Sequence, residues 1–404
     1  MLSPQEAWSR IRAHCPVLPE VEVPLASAGG CVLAETVLAD RDQPPADRSA
    51  MDGFAVRAAD LATLPARLRV TGEVAAGAAG APAVFPGTCV RIFTGANVPE
   101  GADAVVKVED TRALDSDTTE FLLPIRARAN IFCRGENART GDTLVARGRA
   151  LSAMHIGVCA AAGRTHVRVR RRPRVAILAT GRELQEPGAP TGPHQERDSN
   201  SFMLKAAIER AGFAVTAMHR VSDDASIIAA MLRECLAQAD AVVLSGGASV
   251  GKYDFVPAVV RDLGADVLVH GVAMKPGKPF LFATAAGGVC IFGLPGNPLS
   301  AATGLHEFVL PALRHMAGQT AEDCRPVLHA RLRAAMAAQP GRQQFALASL
   351  AWTMAGPEVE AVHCHGSADL AAGAKADGVI MVPLGAEGIG AGSVVAFRPW
   401  RCWP

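Results

Sequence analysis

Two stretches decide the fold: Arg174-Val175-Ala176-Ile177-Leu178-Ala179, and Ala241-Val242-Val243-Leu244 running into Ser245-Gly246-Gly247-Ala248-Ser249-Val250-Gly251. Each is a short unbroken apolar run, the texture of a strand buried on both faces. Between them the period changes to that of helices. Residues 201–211 read as a helix capped by Ser199 or Asn200, Ala214–Val221 as a strand, and 225–239 as a helix started by Asp223 or Asp224. Further on, 255–263 reads as a helix capped by Asp254. Residues 267–272, 279–283 and 289–292 read as strands, and 299–316 as a closing helix. Strands alternating with helices call for a mainly parallel sheet covered on both faces, with ligands at the carboxyl ends of its strands.

The flanks differ in texture. From Met1 to about Arg172 a first helix near residues 4–14 is followed by short apolar runs broken by Gly and Pro. Residues 104–108 and 118–124 read there as strands, which predicts a β-rich module inserted in an elongated, partly helical one. From Cys324 onward, short strands such as 359–363 and 379–382 predict a small β-barrel or sandwich. The run Arg168, Arg170, Arg171, Arg172 and Arg174 begins with period 2 and reads as a solvated strand face.

Composition excludes several classes. The 404 residues carry 40 Lys+Arg against 39 Asp+Glu, a net charge of +1, which argues against a bulk nucleic-acid binder or a polybasic membrane surface. Hydrophobic residues make up 50%, which excludes a disordered chain. No apolar run approaches the ~18–20 residues of a spanning helix, and the first residues lack the apolar core of a signal peptide. A cytoplasmic protein is expected. The ten cysteines are scattered without a C-x-x-C pair, as reduced thiols are. His363-Cys364-His365 is the tightest cluster, but neighbours on a strand point to opposite faces and rarely chelate one metal.

Three loops carry the chemistry. Ser245, Gly246, Gly247, Ser249 and Gly251 form a glycine-rich turn between strand and helix, where backbone N–H groups wrap an anion. Gly246 to Lys252 matches the start of a P-loop, but Tyr253 stands where a Mg²⁺-holding hydroxyl belongs. Asp254 after this loop and Glu183 after Thr180-Gly181-Arg182 sit at neighbouring strand ends. Two carboxylates beside a phosphate loop suit Mg²⁺. Lys275-Pro276-Gly277-Lys278 sets two ammonium groups across a rigid turn, in a chain with only six lysines, as a shared anion would require. Pro295-Gly296-Asn297-Pro298 ends a strand and opens a helix, a second anion-binding terminus.

Read in order, these motifs resemble the molybdopterin molybdenumtransferases, the molybdenum-insertion enzymes related to the E-domain of gephyrin. The resemblance rests on Ser49-Ala50-Met51-Asp52-Gly53-Phe54-Ala55-Val56, Arg91-Ile92-Phe93-Thr94-Gly95, Gly135-Glu136 before Gly141-Asp142, Thr180-Gly181-Arg182-Glu183-Leu184, Asp198-Ser199-Asn200 and the three loops above. It implies a four-domain homodimer: an elongated linker domain (1–42 and 133–172), a β-rich inserted domain (43–132), an α/β molybdopterin-binding domain (173–320) and a C-terminal β-barrel (321–404). The implied reaction takes adenylylated molybdopterin and molybdate, releases AMP with Mg²⁺ and leaves molybdenum on the dithiolene sulfurs. Glu183, Asp223 and Asp254, with Asp52 and Thr94 on the β-rich module, match family carboxylates and partners tied to activity; Glu183 and Asp254 would hold the Mg²⁺. Lys275, Lys278 and Ser367 match positions around the molybdate. A molybdopterin adenylyltransferase and recipient molybdoenzymes are the implied partners, and a non-catalytic scaffold or molybdopterin-binding paralogue on the same fold is the alternative role. The chain departs from the family pattern at Gly271, where a lysine is usual, and at Leu347, where F-x-R supplies an arginine. Arg182 and Asn137 stand where acids are usual. Arg342 is the cation nearest to Leu347 in sequence.

Overall fold

The computed structural model describes residues 1–247, 255–338 and 341–400. At its centre lies a six-stranded sheet: β1 (Arg174–Thr180), β2 (Ala214–Val221), β3 (Ala241–Ser245), β4 (Asp266–His270), β5 (Leu281–Thr284) and β6 (Cys290–Leu294), in the spatial order β2-β1-β3-β6-β5-β4. β5 alone runs antiparallel to its neighbours. Alternate residues of β1 enter two separate cores. Val175 and Ile177 pack with Leu204, Ile208 and Leu305, and with Trp8 and Ile11 of the N-terminal helix Pro4–His14. Ala176 and Leu178 pack with Ile228, Leu232 and Val259. Both faces are dry, which is why the strands read as continuous apolar runs.

The helix starts differ in detail from the sequence expectation. In α1 (Asn200–Arg210), Ser199 occupies the cap position without a capping bond; Asp198 Oδ1 instead accepts from the Ser201 amide at 3.0 Å. α2 (Ala225–Gln238) is capped by Asp224, which leaves Asp223 free for another contact. α3 (Val256–Asp262) begins after Phe255, and the expected cap Asp254 lies outside the described residues. The closing helix, Pro298–Gly304 continuing to Leu310–Met316, carries a π turn at Leu305–Val309. Pro311 has no N–H to return to the Glu307 carbonyl, so the turn before it widens.

The arginine run is less solvated than its period suggests. Arg171 donates to both carboxylate oxygens of Asp240 at 2.7 and 2.8 Å, and the Arg174 amide adds a third bond at 2.8 Å. Burial alone would raise the Asp240 carboxyl; these donors outweigh it and hold it at about 2. Its folded value lies below the unfolded one, so its stabilisation is complete above about pH 4 and is lost as pH falls through about 2. Asp240→Asn should therefore lower stability at pH 7 by about 1.5–3 kcal/mol, the range for bonds to a charged group. Thermal melts of the two proteins should converge near pH 2. Equal melting at pH 7 would leave the clamp without a net role.

The C-terminal strands β7 (Leu328–Leu332), β8 (Gln343–Thr353), β9 (Gly356–Ala361), β10 (Gly378–Val382) and β11 (Val394–Pro399) run β8-β9-β7-β11-β10 and close through β10–β8. The closed five-strand barrel decides between the two sequence-level options. A two-residue strand, Met274–Lys275, leaves the α/β unit and pairs with the start of β8, Met274 opposite Gln343 and Lys275 opposite Gln344. Near the N-terminus a second six-stranded sheet spans Gly53–Val56 to Thr118–Phe121 around Phe54, Phe121 and Val106. It is carried by antiparallel pairs such as Glu20–Pro24 with His166–Arg170. Among the described residues no helix is long and apolar enough to cross a membrane.

Candidate active site

Two cavities open at the carboxyl edge of the central sheet, where parallel strands deliver their loops. The first, about 710 Å³, is walled by Thr180 and Glu183 after β1, Asp198, Ser199 and Asn200 at the start of α1, Asp223 after β2, Ser245, Gly246 and Gly247 after β3, and Pro295, Gly296 and Asn297 after β6. The second, about 770 Å³, lies between the α/β unit and the barrel. It is walled by Lys275, Lys278 and Ser300 on one side and by Arg342, Gln344, His363, Cys364, His365 and Ser367 on the other. Pro279, Pro295 and Asn297 belong to both walls, so the cavities meet there.

The first cavity is built by close backbone approach. Gly246 has φ +97°, and a side chain there would bring its Cβ to 2.4 Å from the Thr180 carbonyl oxygen. Only glycine lets the β1 and β3 loops lie this close. The Asn200 side-chain amide ties three loops together, donating to Ser245 Oγ at 2.9 Å and to the Gly296 carbonyl at 2.7 Å. Asn200 Oδ1 and Thr180 Oγ1 are buried without a hydrogen-bond partner among the described residues. Buried polar atoms left this way are costly unless something supplies the missing bond. Asp223 accepts from the Arg182 amide at 3.3 Å. The Glu183 carboxylate folds back over Gly181, which does not itself line the cavity; a Cβ at Gly181 would sit 2.7 Å from Glu183 Oε1. The remaining loop positions, Ser249, Gly251 and Asp254, lie outside the described residues.

At the junction Asn297 takes the expected cap position of the closing helix, but its side chain does not cap. It donates to Ser367 Oγ at 2.9 Å, and the Leu299 amide donates to the Ser367 carbonyl at 3.0 Å. A barrel loop thus satisfies a free amide of the α/β helix and latches the two units at the neck between the cavities.

The expected sites fall into three groups. Glu183, Asp223, Ser199, Asn200 and the glycine loop come together in the first cavity, and Lys275, Lys278 and Ser367 in the second. Asp52 and Thr94 line neither. They form their own pair, with the Thr94 amide and hydroxyl both donating to Asp52 Oδ1 at 2.7 Å. The Thr94 amide and then its hydroxyl hold the Asp52 carboxyl below the usual range.

Several wall residues escape the sequence reading. His363, Cys364 and His365 follow the end of β9 instead of continuing it, so all three reach the second cavity. The opposite-faces rule applies only inside a strand. No group of three or more His, Cys, Asp or Glu among the described residues is placed to hold a metal ion. Leu347 is 7% exposed, packs in the main core and presents an apolar patch to the cavity, while Arg342 lines the same cavity. Glu196 and Arg197 also line the first cavity, brought there by pairing of Leu184–Gln185 with Glu196–Arg197.

Comparison with known proteins agrees along the whole chain. Residues 2–163 match a MoeA N-terminal region (domain I and II), 176–315 a probable molybdopterin binding domain, and 329–400 a MoeA C-terminal region (domain IV). A Staphylococcus aureus molybdopterin molybdenumtransferase is 34% identical over 97% of this chain and 94% of its own length. The Bacillus subtilis protein of the same name is 39% identical over 70% of this chain and 67% of its own. A crystal structure of the molybdopterin biosynthesis MoeA protein from Pyrococcus horikoshii superposes with a TM-score of 0.82 at 29% identity, covering 100% of both chains. The order of motifs, the closed barrel joined to the α/β unit and these full-length likenesses agree: the chain belongs to the molybdopterin molybdenumtransferase family.

Proposed function

We propose that this transferase of molybdenum cofactor biosynthesis takes adenylylated molybdopterin and molybdate and inserts the metal, releasing AMP. The observation that carries the reading is the pair of cavities meeting at the Asn297–Ser367 latch, one walled by the glycine turn and the other by Lys275 and Lys278. Attack of water on the pyrophosphate yields AMP and the terminal phosphate of molybdopterin. The two dithiol sulfurs replace two molybdate oxygens, which leave as two waters carrying the two thiol protons and two protons from solvent.

Each wall has a role in this. The Gly247 amide and the open acceptor and hydroxyl of Asn200 and Thr180 bind and orient the phosphates and pterin. Glu183 and Asp254 would hold a Mg²⁺ ion, which takes one or two carboxylates and completes its shell with water and phosphate oxygens; Glu183 lines the first cavity together with Asp223. When bound, the ion neutralises charge that develops on the pyrophosphate. Lys275 and Lys278 attract the molybdate dianion as point charges. Asp52 and Thr94, which line neither cavity of their own chain, would complete the site of a second copy in a homodimer. The substrate comes from an adenylylating enzyme and the product goes to molybdoenzymes, all in the cytoplasm.

The test is reconstitution with purified chain, adenylylated molybdopterin, molybdate and Mg²⁺. AMP and molybdenum-loaded cofactor should appear together. Binding of the pterin with no AMP release would instead favour a scaffold on the same fold.

A further inference from the structure

We propose that a third cavity, at the junction of the β-rich sheet with the strand pairs that carry it, binds a small oxyanion borne on a flat apolar body, such as an aryl phosphate or an aromatic carboxylate. The cavity measures about 480 Å³ and shares no lining residue with the two at the central sheet. The chain crosses this junction twice. Arg48 and Ser49 pair with Phe132 and Ile131, and Gln43 bridges to Ala138. The Gln43 carbonyl also accepts from the Asn137 amide at 2.9 Å. These backbone bonds hold the two crossings side by side. Arg41, Gln43 and Arg48 line the cavity from one of them, and Phe132 and Asn137 from the other.

The polar groups of this wall are donors that lack acceptors. Arg48 Nε and Gln43 Nε2 are shielded from solvent and have no hydrogen-bond partner among the described residues. Two such orphans in one cavity are costly unless a bound group accepts from them. Neither Arg41 nor Arg48 pairs with a carboxylate among the described residues. The acids next to them in sequence are engaged elsewhere. Asp42 accepts from Arg134 Nε at 2.7 Å and from the Thr140 amide at 3.0 Å, and Asp47 accepts from the Arg134 amide at 2.7 Å. Glu136 accepts from the Cys133 amide at 2.7 Å. Asn137, which stands where an acid is usual, brings an amide in place of a negative charge. No acid lines the cavity, so two guanidiniums share it without a counter-charge. An oxyanion supplies the missing acceptors, and the planar fork of arginine suits a carboxylate or a phosphate. The rest of the wall favours an apolar body. Pro44 and Pro45 flank the donors, and Phe132, 48% exposed, offers a ring on which a flat group can stack. Gly95, the residue after Thr94, closes the wall from the β-rich side, its amide donating to the Ser49 carbonyl at 2.8 Å. A ligand here touches both modules, beside the loop that carries the Asp52–Thr94 pair.

The experiment is calorimetric titration of the full chain with phenyl phosphate, benzoate and inorganic phosphate, with hydrogen exchange read by mass spectrometry to locate the bound probe. Phenyl phosphate should bind more tightly than inorganic phosphate, which lacks the apolar body, and should slow exchange in peptides covering 41–49 and 131–138. Arg48→Gln should weaken it about 10–150-fold, as loss of a charge-assisted bond does. Arg41→Gln, on an exposed side chain, should weaken it in the same direction and carries the test if Arg48→Gln fails to fold. Asn137→Asp, which sets a fixed carboxylate among the arginines, should weaken it too. Benzoate separates the two sources: binding as tight as that of phenyl phosphate assigns the cavity to carboxylates, and weaker binding to phosphates. If the folded arginine variants bind phenyl phosphate as wild type does, or exchange slows only around Lys275–Lys278 or the Gly246-Gly247 turn, the anion lies at the central sheet and the inference fails. It fails as well if no probe binds; a loss of dimer in native mass spectra of Arg48→Gln would then assign the cavity to an acid of a second copy. Each of these failures leaves the molybdate reading intact.

Discussion

Glu183→Gln should cut AMP release by about 10²–10³-fold, the cost of removing one preorganised charge stabiliser, and leave the melting curve unchanged. Glu183 is exposed and its carboxylate pairs with no cation among the described residues, so nothing in the fold depends on its charge. Yet it shares the first cavity with Asp223 and Glu196. Acids gathered around a pyrophosphate repel it unless a cation lies between them. If the ion is there, the neutral amide loses a ligand and turnover collapses. If it is not, Glu183→Gln relieves repulsion, and tighter substrate binding with undiminished turnover would sink the carboxylate assignment.

The same variant reports on assembly. Asp52→Ala alone should also be nearly inactive if Asp52 completes a partner's site. Mixed with Glu183→Gln subunits it should regain activity, because one site of each mixed dimer then carries both acids. Recovery requires subunit exchange, which native mass spectrometry of the mixture would establish. Exchange without recovery would place Asp52 and its Thr94 partner outside the reaction.

What the sequence makes legible follows local physics. The buried strands, the Asp224 cap and the glycine turn are each specified by neighbouring residues, and they land where period and composition put them. Contacts made between distant parts of the chain are not specified that way. Nothing near Asn297 announces that its amide turns away from its own helix to Ser367, 70 residues later. The lysine turn signals an anion, but only the ladder between Met274–Lys275 and β8 shows that the turn is joined to the barrel. The His363-Cys364-His365 cluster was legible as residues and misleading as geometry, because β9 ends at Ala361. Asp198 is a further case: caps within one or two positions of each other compete, and tertiary packing chooses.

The barrel can contribute ligands only if it is held rigidly, and one buried carboxylate does much of that holding. Glu307, in the π turn of the closing helix, is fully buried and lies 2.9 Å from Arg325 Nη2 and 2.5 Å from Arg398 Nε on β11. The second contact is close but poorly angled, and both its atoms lack a proper hydrogen bond, so Coulomb attraction more than hydrogen bonding joins them. Beside it, His306 stacks on Trp400 at 5.0 Å, and burial pushes the imidazole down to about 3, leaving it neutral. Burial also lowers Arg398, since desolvation opposes its charge. Glu307→Ala would leave two guanidiniums in a dry interface, at a cost of about 3–5 kcal/mol. In calorimetry the transition that includes the barrel should fall by on the order of 10 °C. Molybdate affinity should fall with it, because the barrel wall would no longer be fixed against the lysine turn. Replacing Glu307, Arg325 and Arg398 together by leucine removes the unpaired charge and should restore melting to near wild type or above it. A Glu307→Ala protein that melts like the wild type would show that the ladder and the Asn297 latch suffice to seat the barrel without this triad.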